Sequence, residues 1–415
     1  MAKVVVIGGG LGGCTAALTA RKAGVQVEIV ERMDFLSGLA PWTGQILTWV
    51  SRTETRLMES GTADIVAVME SLSIHRTTEF GVKDGNITFD VTRIANAIAK
   101  LIEKSGIKFR LKSRVTQIDR SENKVRAVIT EDGTRIEGDA FVDATGRTGG
   151  VEWCDRLGQG CALCLLNCPL FGDRISLSAL VDVPDQEDRW NYFPMSLIAM
   201  ESLSPDLRQK IEDEESGYSY FPIPEDLLSM DFTKEWRRPD RPVTAKIKGT
   251  LVNVVHVPFA KTKLNLPLKW LQRIPGFENA WMMQPLDAEG QTVGTGFYAS
   301  HDDTLRVTGM ANLFAAGLRA GRYSGFIEAM FAGDVAGWNA ARTALGMTPL
   351  PMPISTLMGY FLSVVKTGQT PNEWSGTPLS DPTYKNAGFD TTDYQKIKER
   401  VRAAGMEGIF AKRLA

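Results

Sequence analysis

A chain of 415 residues is longer than one typical domain and suggests two or three. With 43% hydrophobic and 23% charged residues it has the composition of an ordinary soluble globular protein, and a net charge of -2 removes any bulk attraction to nucleic acid, so contact with RNA would need a local basic patch. The longest apolar run, 357–365, falls well short of the roughly 20 residues of a membrane span, and one Lys before an apolar strand makes no signal peptide, so a cytoplasmic protein without membrane association is expected.

The first thirty-one residues predict one complete β-α-β unit. Val4 to Ile7 is an apolar strand that feeds straight into Gly8-Gly9-Gly10-Leu11-Gly12-Gly13; Ala16, Ala17, Leu18 and Ala20 continue as a helix, and Val25 to Val30 is a second strand ending at Glu31. Gly8 permits the tight turn, Gly10 lets the backbone approach a pyrophosphate, and Gly13 lets helix and strand pack closely, while Leu11 and Gly12 begin the helix whose N–H groups face the phosphates. Glu31 can accept from both ribose hydroxyls, and an acid there favours FAD or NAD over NADP. Arg32 follows it and is placed in the same site.

Cys14, on the first helix, is expected to be a core thiol. Residues 32–53 depart from regular pattern, with Gly38, Pro41, Trp42 and Gly44 close together, and are expected to pass beside the cofactor. A helix is predicted over 63–72, a strand over 87–89, and a helix from Ile94, with Ile98, Leu101 and Ile102 recurring at helical spacing. Short strands are predicted at 108–111, 115–118, 124–130 and 134–137, the last two joined by the turn Glu131-Asp132-Gly133. They lead to the apolar strand Ala140-Phe141-Val142-Asp143, followed by Ala144-Thr145-Gly146. A strand ending in Asp-Ala-Thr-Gly resembles the second dinucleotide motif of FAD-dependent oxidoreductases, where small residues let the chain cross close to the cofactor.

A third piece lies near the other end. Asn312 to Gly317 is again a strand meeting a glycine, and after Gly325 a helix is predicted from Phe326 to Leu345. Its N-terminus, with Gly317, Gly325, Phe326 and Ile327, is expected at the pyrimidine side of the flavin, where a positive dipole end would stabilise the anionic reduced ring. Three such pieces in this order make FAD the expected cofactor. Arg319 and Arg322 flank the glycines there; either they bind an anionic flavin or substrate, or they are solvated loop charges. The final helix, 393–403, carries Lys396, Lys398, Arg400 and Arg402 and reads most simply as a solvated face.

Four of the five cysteines, Cys154, Cys161, Cys164 and Cys168, fall within fifteen residues and are followed by Pro169. The last three plus the proline match the end of the bacterial ferredoxin run, and four thiolates are the number that a [4Fe-4S] cluster or a structural zinc needs. A redox pair, Cys161 with Cys164 or with Cys168, is a separate reading, and so is a loop whose cysteines merely pack. Cys161, Cys164 and Cys168 are the thiol candidates for catalysis. His301, just before the third motif, is the candidate acid or base. Among His75, His256 and His301 no pair has metal-ligand spacing.

The glycine loop with Cys14-Thr15-Ala16-Ala17, Asn312 to Gly317 with the Gly325 helix, and the stretch Pro349 to Leu362 together resemble the family of flavin-dependent tRNA-modifying proteins, which includes the folate- and FAD-dependent tRNA uracil methyltransferases and the wobble-uridine carboxymethylaminomethyl enzymes. The resemblance covers about half the chain, and it implies FAD and the fold.

The expected architecture is therefore α/β, a Rossmann-like FAD-binding fold built from residues 1–150 and 301–346, with an inserted α+β substrate-side domain at 151–300 holding the cysteine cluster and a short helical C-terminal tail at 347–415. The expected function is an FAD-dependent oxidoreductase with a cysteine-ligated [4Fe-4S] cluster passing electrons to or from the flavin. A folate- and FAD-dependent tRNA uracil methyltransferase and a flavoprotein with a redox-active dithiol remain open beside it, as does an FAD-stabilised RNA-binding scaffold without turnover. NAD(P)H or an iron–sulfur protein is the expected electron source. A small molecule or an electron-transfer protein is the expected partner; tRNA gains no support from charge, and a homodimer stays open.

Overall fold

The computed structural model describes residues 1–38, 40–43, 45–46, 51–76, 87–146, 175–188, 195–213, 218–220, 243–246, 254–258, 272–280, 282–284, 296–321, 325–367, 387–389 and 391–415. Its organising layer is a five-stranded, wholly parallel sheet. The strands are β1 (Lys3–Ile7), β2 (Gln26–Val30), β3 (Lys108–Arg110), β4 (Ala140–Asp143) and β5 (Leu313–Ala315), in the order β5-β4-β1-β2-β3. Every residue of β4 and β5 is buried, as are Val4, Val5, Val6 and Ile7 of β1, and apart from Asp143 at the end of β4 all are apolar, as a parallel strand covered on both faces requires. The first strand and the last thus lie in one sheet although more than three hundred residues separate them.

The principal helices are α1 (Leu11–Lys22), α2 (Gly61–Ser71), α3 (Ile94–Lys104), α4 (Phe326–Ala344), α5 (Leu357–Thr367) and α6 (Tyr394–Ala403). α2 begins two residues earlier than its apolar pattern suggests because Ser60 serves as N-cap, its hydroxyl accepting from the Ala63 N–H at 3.3 Å. α1 and α4 pack at backbone contact. A Cβ on Gly333 would stand 2.3 Å from the Gly12 carbonyl oxygen, and one on Gly337 would stand 2.2 Å from that of Ala16. The spacing Gly333-x-x-x-Gly337 therefore opens a groove along α4 into which the start of α1 settles.

Between β4 and β5 the chain makes a second, antiparallel sheet, in the order Tyr218–Tyr220, Val243–Lys246, Val254–Pro258, Met195–Ala199, Met282–Gln284, with the helix Pro205–Asp213 beside it. Within it, Val243–Lys246 and Val254–Pro258 pair antiparallel. The legs leading into and out of this sheet pair with each other as a two-stranded antiparallel stem, Gln186–Asp188 with Gly296–Tyr298. The C-terminal residues fold back on the first unit. Leu414 N–H donates to the Ala23 carbonyl at 2.9 Å, and the rings of Phe410 and Trp338 meet edge to face at 5.8 Å. Among the described residues no helix is long and apolar enough to cross a membrane.

Candidate cofactor site

The three glycine-bearing motifs, far apart in sequence, converge on the loop between β1 and α1. Gly8 takes φ +102°, and a Cβ there would lie 2.2 Å from the Ala144 carbonyl oxygen, so the Asp-Ala-Thr-Gly crossover rests directly on the first turn. A Cβ on Gly12 would lie 2.5 Å from Gly317 Cα, so the third motif touches the first as well. Gly13 behaves as its spacing implied: an added Cβ would be 1.9 Å from the Gly8 carbonyl oxygen.

Gly10 is different. It is the N-cap of α1, no side chain caps that helix end, and the nearest atom to an added Cβ is Gly38 Cα at 4.0 Å. Open space above an uncapped helix N-terminus suits a pyrophosphate, whose charge meets the free N–H groups and the positive dipole end. Ser37 crosses this point with φ +88°, its N–H bonded to the Gly9 carbonyl at 2.7 Å. Its hydroxyl is buried and has no hydrogen-bond partner among the described residues, so a ligand lying on the loop would satisfy an otherwise orphaned group. Nothing in the sequence singled out Ser37, apart from the small pair it makes with Gly38.

Glu31 shapes the loop before it meets any ribose. Oε2 accepts from Gly9 N–H at 2.5 Å and Oε1 from Met33 N–H at 2.7 Å, and each carboxylate oxygen keeps a second lone pair for a hydroxyl. Arg32 stands half-buried beside it; burial lowers the guanidinium's pKa, Glu31 opposes that and the Arg114 charge adds to it. Cys14 is a fully buried thiol, as expected, bonded to the Gly9 carbonyl at 3.2 Å and pushed up to about 12 by burial. It stays a neutral packing group at physiological pH.

The second motif is held by its own acid. Asp143 Oδ1 accepts from the Thr145 N–H at 3.1 Å and hydroxyl at 2.7 Å, while Oδ2 faces Arg319 Nε at 3.3 Å. Arg319 is neither a solvated loop charge nor a ligand arm. It is fully buried, and Asp185, Ser176 and Ser178 share its other end, Nη2 reaching Asp185 at 2.5 Å and each serine hydroxyl at 2.8 Å. At the third motif Gly325 caps α4, with Phe326 and Ile327 following, but the buried carboxylate of Glu328 folds back over that end, 1.9 Å from where a Gly325 Cβ would be. The positive end of the α4 dipole therefore meets the chain's own acid.

His301 has both ring nitrogens on backbone carbonyls, Nδ1 on Asp302 at 2.8 Å and Nε2 on Ala320 at 2.7 Å. In this arrangement neither nitrogen is left for a substrate, and the ring straps the 301–306 turn to the third motif. Arg400 departs from the expected solvated face: it pairs with the buried carboxylate of Glu54 at 3.0 Å and covers the Phe389 ring at 4.6 Å. Cys154, Cys161, Cys164 and Cys168 lie outside the described residues, as does Arg322. Among the described residues, no group of three or more His, Cys, Asp or Glu is placed to hold a metal.

Residues 3–150 match the family model of FAD dependent oxidoreductase, and residues 200–348 match that of glucose inhibited division protein A. The methylenetetrahydrofolate–tRNA-(uracil-5-)-methyltransferase of Crocosphaera subtropica is 23% identical over 412 residues, 88% of this chain and 86% of that protein. The corresponding protein of Lysinibacillus sphaericus is 32% identical over 133 residues, and there the match spans 28% of the relative's length. Of solved structures, GidA of Aquifex aeolicus in its form II crystal superimposes with TM-score 0.64 at 16% identity, over 98% of this chain and 73% of that one; form I gives 0.57. These likenesses give the fold, and the FAD-dependent oxidoreductase model matched over residues 3–150 supplies the cofactor. The chain is an FAD-dependent enzyme that resembles the flavin-dependent tRNA-modifying family.

Proposed function

We propose that this chain is an FAD-dependent oxidoreductase whose flavin exchanges single electrons with a [4Fe-4S] cluster held by Cys154, Cys161, Cys164 and Cys168. FAD would lie on Gly8, Gly10, Leu11, Gly12 and Gly13, with Glu31 and Arg32 at the ribose, Ala144, Thr145 and Gly146 along the crossover, and Gly317, Gly325, Phe326 and Ile327 toward the ring. The observation that carries the reading is the spacing of the four cysteines and Pro169, which begins eight residues after Gly146. Bound FAD takes electrons singly or in pairs, so it can join a two-electron donor such as NAD(P)H to a one-electron carrier. A reducing cytoplasm is the compartment in which four such thiolates persist without pairing.

The test is anaerobic purification followed by iron and sulfide analysis and a visible spectrum. About four iron and four sulfide per chain are expected, lost on replacing any one of the four cysteines by Ser while FAD remains. Iron-free protein in which Cys161 cycles between thiol and disulfide with Cys164 or Cys168 would move the chemistry to a dithiol.

A second reading has one specific observation in its favour, the match to the Crocosphaera subtropica methyltransferase along most of both chains. On that reading the protein uses methylenetetrahydrofolate and FAD to methylate uracil in tRNA. Incubation with methylenetetrahydrofolate, NADH and unmodified tRNA separates the two: the oxidoreductase reading expects no methyl transfer, and transfer would replace it.

A further inference from the structure

We propose that Arg319 is a positioning residue that couples the stem of the inserted antiparallel sheet to the FAD crossover, so that cofactor binding and the placement of that sheet are linked. The proposal rests on the FAD site and not on the cysteine cluster.

Arg319 touches three pieces of chain at once. Its guanidinium reaches Asp143, whose other carboxylate oxygen holds Thr145 of the crossover. The far end of the same group reaches Asp185, which immediately precedes the incoming leg Gln186–Asp188. Its backbone carbonyl accepts from Ala299 N–H at 2.8 Å, directly after the outgoing leg Gly296–Tyr298. Both legs of the stem and the crossover are therefore fixed to one side chain and its own peptide, and the next residue, Ala320, takes His301 Nε2.

The chemistry of the cluster makes this more than filling. One buried cation faces two carboxylates, of which Asp143 is fully buried and Asp185 12% exposed, so the cluster carries a formal charge of -1 and depends on directed donors: the hydroxyls of Ser176 and Ser178, the Leu177 N–H, and Arg319. The planar fork of a guanidinium holds its Nε and Nη2 donors to the two carboxylates at fixed angles, whereas an ammonium is a rotatable point charge that fixes no such angle between them. A shift of Asp185 with the stem must therefore be answered at Asp143, and through it at Thr145. Packed, fully bonded groups of this kind move together or not at all.

Hydrogen exchange with and without FAD tests the linkage on the full chain. In the wild type, FAD is expected to slow amide exchange both at the loop around Gly8–Gly13 and at 176–188. In Arg319→Lys, FAD is expected still to protect the loop, while its protection of 176–188 falls at least fivefold, the lower end of ordinary coupling factors. Asp185→Asn keeps the shape and an acceptor oxygen but removes one charge, and it provides the same reading should the lysine variant fail to fold. FAD-dependent protection at 176–188 that is unchanged in Asp185→Asn, or absent from the wild type, would overturn the proposal.

Discussion

Thr19 donates its hydroxyl to Asp334 Oδ1 over 2.6 Å, joining α1 to a residue 315 positions further along the chain. The same carboxylate accepts from Gly61 N–H at 2.8 Å and, on its other oxygen, from the Thr62 hydroxyl at 2.6 Å, so α1, α2 and α4 are tied at one buried acid. Burial raises this carboxyl to about 6, against the hydrogen bonds of Thr19, Thr62 and Ser60 and the charge of Lys22 that favour its ionised form. Hydrogen bonds alone do not repay the loss of water around a charge this deep.

That shift fixes a pH dependence. The folded value of about 6 lies above the ordinary 3.8, so between them the folded state holds more protons than the unfolded chain. The contribution of Asp334 is most favourable below pH 4 and is lost as pH rises through 6, a loss on the order of 3 kcal/mol. In Asp334→Asn this component disappears, so the stability difference between wild type and variant should move in the variant's favour from pH 4 to pH 7. Urea midpoints at several pH values measure it; a difference that stays constant with pH would refute the assignment.

The glycine loop separates fold from cofactor. Gly12→Ala forces a Cβ to 2.5 Å from Gly317 Cα and 2.9 Å from the Ala329 carbonyl, and should cost about 1–3 kcal/mol in FAD-free protein. Gly10→Ala meets nothing closer than 4.0 Å and should leave that stability within about 1 kcal/mol, yet lower FAD content because the added methyl stands where the pyrophosphate approaches. Thermal unfolding and flavin absorbance, measured on both variants, decide it: Gly10→Ala protein with full FAD would remove Gly10 from the site.

The tail is held by a charge pair, not only by apolar contact. Glu54 is buried, and burial raises its carboxyl despite Arg400 and the N–H groups of Leu357 and Met358, the latter at 3.1 Å. Arg400→Met would leave that acid without its cation and should cost about 3 kcal/mol, with much of the loss recovered in the double variant Glu54→Gln, Arg400→Met. Denaturant titration of the two single variants and the double gives the coupling; strictly additive losses would mean that the two charges do not stabilise each other.

The parts of this molecule that were legible in the sequence are those where backbone geometry leaves one residue type. Gly8, Gly12 and Gly13 have no room for a Cβ, and the β-α-β unit follows from them and from the unbroken apolar strands on either side. Arg319 could not be read in the same way. Its partners Asp143 and Asp185 lie 176 and 134 residues away, and a guanidinium between glycines looks the same whether solvated or fully buried. Arg400 is the same case at larger separation, since Glu54 is 346 residues earlier and the helix pattern around it, with Ile397 and Val401 buried, signalled only one apolar face. Ser37 was missed because an orphaned hydroxyl is a property of its surroundings alone.

Glu31 can be tested for two roles at once. Both of its oxygens accept backbone N–H groups, from Gly9 and Met33, so it fixes the loop whether or not a ribose is present. Glu31→Gln keeps one acceptor oxygen and turns the other position into a donor facing an N–H. Losing a hydrogen bond to a charged group costs about 1.5–3 kcal/mol, and FAD affinity should therefore fall about 10- to 150-fold. If the carboxylate acts only on the loop, FAD-free protein should lose stability while FAD affinity stays near that of the wild type, because the bond is lost equally with and without FAD. If it also holds the ribose, affinity should fall as well as stability. Titration of FAD-free wild type and variant with FAD, beside their urea midpoints, separates these roles, and the second is expected because each oxygen has a lone pair to spare at the end of the glycine loop. Unchanged affinity in Glu31→Gln would show that the acid at the end of β2 takes no part in holding the cofactor.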